Sequence, residues 1–187
     1  MEASTQYALA YALTTSAGLR GVLTLAAASL SIHAGIFHPP SGFAWLGSTP
    51  VTIALVAVAA LEFVADKVPL VDHLMHLLQI LVKPAAAAIL VGGAIHVHSG
   101  PELYGLMALG ALNALGIHAT SATVRGASSA LSFGVANPFV SILEDALALL
   151  MIILSFLAPL LGAAVAVAVT AVVVRYGRRA LTRVRAA

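Results

Sequence analysis

The sequence predicts an all-α membrane protein with about six transmembrane helices, arranged as two inverted three-helix repeats. Three observations predict it. Charge is scarce: 9% of the 187 residues are charged and 61% are hydrophobic, whereas soluble domains carry roughly 25% charged residues to cover their surface. Prolines and polar turns divide the chain into six apolar segments, each near the roughly 20 residues that a helix needs to cross a hydrocarbon core about 30 Å thick. Finally, a set of short sequence elements recurs in the same order in both halves.

Segment one runs from about Ala8 to His33 and carries one charge, Arg20. The connector after it holds Phe37, His38-Pro39-Pro40, Phe43 and Trp45, a mixture of prolines and aromatics that suits a loop at headgroup level. Thr49-Pro50 opens segment two, with Thr49 as the expected cap and Pro50 at the first helical position; the segment ends near Asp66-Lys67. Segment three starts at Pro69 and passes through Lys83-Pro84 to about His98. Ser99-Gly100-Pro101 makes the turn into segment four, which ends near Arg125. The apolar stretch from Ala130 to Val135 predicts a re-entrant element before Asn137-Pro138, where segment five begins with the cap-and-proline device of segment two. Segment six opens at Pro159 and ends among Arg175, Arg178, Arg179, Arg183 and Arg185.

Those five arginines are most of the nine basic residues, so the net charge of +2 describes a tail and gives no reason to expect nucleic acid as a partner. Basic residues mark the cytoplasmic side of membrane proteins. With six spans, Lys67, Arg125 and the arginine tail all fall on one side, and the connectors after segments one, three and five carry no Lys or Arg. The expected location is therefore the cytoplasmic (inner) membrane, with both termini in the cytoplasm. The N-terminus lacks the positive region of a signal peptide, and its apolar stretch is too long for one. Cysteine is absent, which excludes disulfides and thiolate sites.

One transmembrane domain is expected, with a first repeat over about 8–98, a second over about 101–182 and a basic tail at 175–187. Ser16-Ala17-x-x-Arg20-Gly21 recurs as Ser121-Ala122-x-x-Arg125-Gly126. A capped proline, a Leu-Glu pair (Leu61-Glu62, Leu143-Glu144) and a Pro-Leu helix start (Pro69-Leu70, Pro159-Leu160) follow in each half. Three spans per half is odd, so the halves insert in opposite senses, as in many secondary transporters. The glutamates are out of register: Glu62 is twelve residues beyond its proline and Glu144 six.

A charge at the bilayer centre costs roughly 2.5–3.5 kcal/mol on insertion scales. Arg20, Glu62, Lys83, Glu144 and Asp145 together would cost on the order of 15 kcal/mol facing lipid, so they are expected to face inward. Asp72, His76, Gln79 and Lys83 share one stripe of segment three, and Glu62 and Asp66 one of segment two. Two readings follow: a transport or binding pathway lined by Glu62, Asp66, Glu144 and Asp145 where segments two and five cross, with Arg20 and Lys83 as counter-charges, or a structural network of buried ion pairs. Glu144 and Asp145 are about 100° apart on a helix, so one is free to bind while the other pairs. His73, His76 and His118 are weaker candidates for divalent-metal ligands, since imidazole with carboxylate suits such ions. Arg125, Arg175, Arg178 and Arg179 are placed for anionic headgroups. No hydrolase, metalloprotease or phosphate-loop motif occurs, so neither an enzyme nor a cofactor is expected.

The element Leu61-Glu62-Phe63-Val64-Ala65-Asp66-Lys67-Val68-Pro69-x-Val71-Asp72, with Lys83-Pro84-Ala85, Leu143-Glu144-Asp145-x-Leu147 and Gly18-Leu19-Arg20, resembles the small bacterial membrane proteins grouped as domain of unknown function 4126. The resemblance covers nearly the whole chain and implies no particular activity. The expected function is a membrane transporter or channel for an ion or small solute. The alternatives are a non-transporting scaffold that binds anionic lipid and a divalent-metal carrier; the partners are the bilayer, the small solute and, for any of these, further copies of the chain.

Overall fold

The computed structural model describes residues 2–65, 69–97, 100–132, 135 and 137–185, with side chains throughout except at 69–77, 127–132, 137, 173–174 and 176–185. It is built from helices: α1 (Ala3–Leu19), α2 (Gly21–His33), a short 3-10 helix (Ser41–Gly47), α3 (Thr49–Ala65), α4 (Pro69–Ala94), α5 (Pro101–Ser132), α6 (Asn137–Leu157) and α7 (Pro159–Arg185). Proline is the first residue of α4, α5 and α7 and the second of α3 and α6, positions where its missing N–H costs no helical bond.

The centre of the molecule is α1. From Ala8 to Leu19 every residue except Tyr11 is buried, and the helix packs against α4, α5, α6 and α7. A helix buried all round needs no polar face, and small residues let its neighbours approach closely. At Gly18 a methyl group would sit 2.6 Å from Ile117 Cβ, so only glycine permits the observed crossing of α1 and α5. The connector after α2 folds inward rather than lying flat: Phe37 is buried, with its ring centroid 5.6 Å from that of Phe156 on α6. Leu46 of the 3-10 helix is fully buried beneath Ser29, whose hydroxyl donates to Leu46 O at 2.6 Å.

At the periphery, α3 packs on α2 and the 3-10 helix and touches α4. It buries only Thr52 and Glu62, and exposes Ile53, Val56, Val58, Leu61, Phe63 and Val64. Apolar residues on the outside and polar ones inside are what a lipid solvent selects.

Several boundaries differ from those expected. Segment one is two helices, broken at Arg20, whose backbone (φ −137, ψ 86) leaves the helical region. Segment four does not end at Arg125: α5 continues to Ser132, which places residues 130–132 of the expected re-entrant element in a helix; 133, 134 and 136 lie outside the described residues. Helix α3 is described as far as Ala65; Asp66 and Lys67, near which segment two was expected to end, lie outside the described residues.

Among the described residues two helices, Pro101–Gly126 and Pro138–Leu157, are long and apolar enough to cross a membrane, and a third is added if the 3-10 helix and α3, bent by 60°, count as one span. The remaining apolar stretches, Gly21–His33, Leu78–Ala94 and Pro159–Val172, are shorter. The polar residues Thr14, Thr15, Ser16, Arg20, Gln79 and Lys83 are buried between helices.

Candidate functional site

The break at Arg20 is where the buried charges meet. Arg20 holds the backbone together across it: its N–H bonds to Ser16 O at 2.8 Å, and its carbonyl accepts from Thr24 N–H and Thr24 Oγ1. Gly21 follows, and a methyl there would sit 3.1 Å from Lys83 Cα. Helix α4 thus crosses the chain at the break itself and brings Lys83 beside it. Pro84, the next residue, removes one helical hydrogen bond from α4 at the same level.

From this junction Arg20 points at α6. Its Nε lies 2.7 Å from Asp145 Oδ1, and an Nη lies 2.8 Å from Ser141 Oγ and 3.9 Å from Glu144 Oε2. Helix α5 closes the other side: Arg125 donates to Glu144 Oε2 at 2.5 Å, and the Ser121 hydroxyl donates to Glu144 Oε1. The 100° between Glu144 and Asp145 therefore gives each carboxylate its own guanidinium instead of leaving one free to bind. On α4, Gln79 donates to Glu62 of α3 at 2.8 Å, and Lys83 Nζ lies 3.2 Å from His118 Nδ1 of α5. Lys83 also feels the charges of Glu144, Arg20, Glu62 and Arg125.

All of these groups are buried: Arg20, Lys83 and Arg125 are 2%, 2% and 7% exposed, and Glu62, Glu144 and Asp145 are 3%, 7% and 7%. The three cations balance the three carboxylates. Moving any charge into such an interior is costly unless it is paired and hydrogen-bonded, and this arrangement pairs the guanidiniums directly.

Arg125 corrects the sequence reading. It was expected at the surface, meeting lipid headgroups, and instead it is buried and paired with Glu144, because α5 extends past it. Helices α3 and α6 do not pack on each other among the described residues; α2 touches both, and the Arg20–Lys83 junction takes the place of the expected crossing. His118 Nδ1 meets the Lys83 ammonium, and the described residues hold no group of three His, Asp or Glu suited to an ion. Arg175 is exposed. The side chains of Asp72, His73, His76, Arg178 and Arg179, and all of Asp66, lie outside the description.

Ser141 and Thr24 belong to the site but were not singled out in the sequence, and Ser16 was noted there only as part of the repeat. Ser141 was recognisable, since it stands three and four residues before the two acids on one helix face. Asn113 likewise donates to Thr14 and Thr15 at 2.9 Å each, joining α5 to α1.

Long apolar helices around a balanced interior charge cluster define the class: a helical membrane protein with two to three candidate spans. Within it, the chain belongs to the family described as domain of unknown function (DUF4126), whose model matches residues 7–179. No curated protein and no solved structure matches it.

Proposed function

We propose that the protein is a membrane transporter or channel for an ion or small solute, with its pathway through the Arg20–Lys83 junction. One observation carries this reading: six ionisable side chains from α3, α4, α5, α6 and the α1–α2 break converge on a point where one helix is broken at Arg20 and a second carries Pro84. Apolar packing would hold these helices together at lower cost, since replacing buried ion pairs by apolar groups is often neutral or stabilising. Broken helices that expose backbone and charge to a central site are the usual construction of secondary transporters. Six spans and two inverted halves belong to the same proposal. They are supported by reciprocal packing, in which α4 lies on α5 as α7 lies on α1, and weakened by the contact of α1 with α6, which has no counterpart between α5 and α3 among the described residues. In this reading the protein sits in the cytoplasmic membrane.

The saturation of Glu144 by Arg125, Ser121 and Arg20 favours a second reading, a non-transporting scaffold. Glu62 separates the two. Its described hydrogen bond comes from the neutral amide of Gln79, and a glutamine at position 62 could still accept it through its amide oxygen. Flux of ions and small solutes into vesicles containing purified protein should be lost in Glu62→Gln, while the variant remains monodisperse. A Glu62→Gln protein that transports normally, or a wild type that moves nothing, would leave the scaffold standing.

A further inference from the structure

Arg20 and Arg125 each rest on a carboxylate, but Lys83 is bonded to a base. An ammonium has donors and no acceptor, so with Nζ 3.2 Å from His118 Nδ1 it is Lys83 that donates, and His118 carries its own proton on Nε2. We propose that Lys83 and His118 form a proton-carrying pair and that the ion moved through this site is H⁺, an inference that rests on the transport reading above.

Three features support it. First, the field at Lys83 is divided: Glu62 of α3 and Glu144 of α6 attract the ammonium, while Arg20 at the helix break and Arg125 of α5 repel it. No single carboxylate fixes the charge, so the proton is free to be passed on. Second, the pair is buried, with Lys83 2% and His118 3% exposed, so the transfer between Nζ and Nδ1 takes place away from bulk solvent. Third, both oxygens of Glu144 and Oε1 of Glu62 accept from protein donors, and Oδ1 of Asp145 is paired with Arg20. A metal ion would have to displace these donors, whereas a proton passes along hydrogen bonds.

In the step itself the Nζ–H bond breaks as an Nδ1–H bond forms, which leaves a neutral amine and an imidazolium. The imidazolium ring then turns, gives its Nδ1 proton to a water molecule on the exit side and turns back with Nδ1 bare, while the amine takes a proton from hydronium on the entry side, which restores the starting pair.

The test is proton flux into vesicles of phosphatidylethanolamine and phosphatidylglycerol that contain the full chain and a trapped pH-sensitive dye, driven by a potassium diffusion potential. Wild type should carry protons well above empty vesicles. Lys83→Arg keeps the positive charge but cannot release a proton, and it should lower the flux by on the order of tenfold or more, as should His118→Gln. Proton flux through Lys83→Arg equal to wild type would overturn the proposal. If wild type moves another ion or solute but no protons, the inference falls and the transport reading survives; if it moves nothing, both fall. Nitrogen NMR of the wild type, which depends on no variant, should find His118 with a bare Nδ1 at neutral pH. A protonated Nδ1 would equally overturn the pair.

Discussion

Arg125 and Glu144 show how much one side chain's energy depends on its partner. Removing one member of a buried pair leaves the other charge in a medium that cannot solvate it, at a cost of about 3–5 kcal/mol. Arg125→Met should therefore lower the stability of the protein in detergent by about that amount, and Glu144→Gln, which strands Arg125 and weakens Arg20, should do likewise. The double variant Arg125→Met/Glu144→Leu removes both charges and should recover a substantial part of the loss. Thermal unfolding of the four proteins measures this coupling; strictly additive losses would mean that the 2.5 Å contact contributes nothing as a pair. Glu62 belongs to a different case, because its described donor is the amide of Gln79, and for that reason it is the better probe of function.

Among the helices, α1 and α3 are opposites. The first is enclosed by four others and made of small residues; the second lies against α2 and turns its apolar side chains outward. Where α1 meets α5 the crossing distance is set by Gly18, and Gly18→Val should force the helices apart and cost about 1–3 kcal/mol. Gly116, also on α5, has nothing within reach of an added methyl. Gly116→Ala should instead raise stability by about 0.5–1 kcal/mol, from the lower conformational entropy of the unfolded chain and the better helix former. Thermal shifts of opposite sign are expected for the two variants, and a matching sign would show that the α1–α5 contact is looser than described.

For the whole molecule, basic residues set how the helices sit in a bilayer. With Arg125 buried in α5, the charge rule rests on Lys67 and the arginines from Arg175 onward, which still lie on one side if six spans are present. Single cysteines at Gly42 and Gly100 should then react with an impermeant maleimide from outside intact cells, and cysteines in place of Lys67 or Thr182 should not. The native chain has no cysteine, so the signal is unambiguous. External reaction at position 67 together with protection at position 42 would invert or break the six-span arrangement.

The helical class, the membrane environment and the inward turn of Arg20, Glu62, Lys83, Glu144 and Asp145 could all be read from the sequence, because each follows from the cost of exposing charge to lipid and needs no knowledge of neighbours. The proline-led helix starts were legible for the same local reason. What only the tertiary structure decided was pairing and depth. Arg20 and Asp145 are 125 positions apart, and nothing local to either selects the other over Glu62. Arg125 near a helix end satisfies both the rule for cytoplasmic loops and the need for an interior counter-charge; the extension of α5 to Ser132 and the approach of Glu144 resolve it. The break at Arg20 was hidden because the residues around it are good helix formers or small, and it exists because α4 and α6 offer partners there that a straight helix would miss. Sequence sets which groups cannot face lipid, and only the packing of distant segments determines which of them meet.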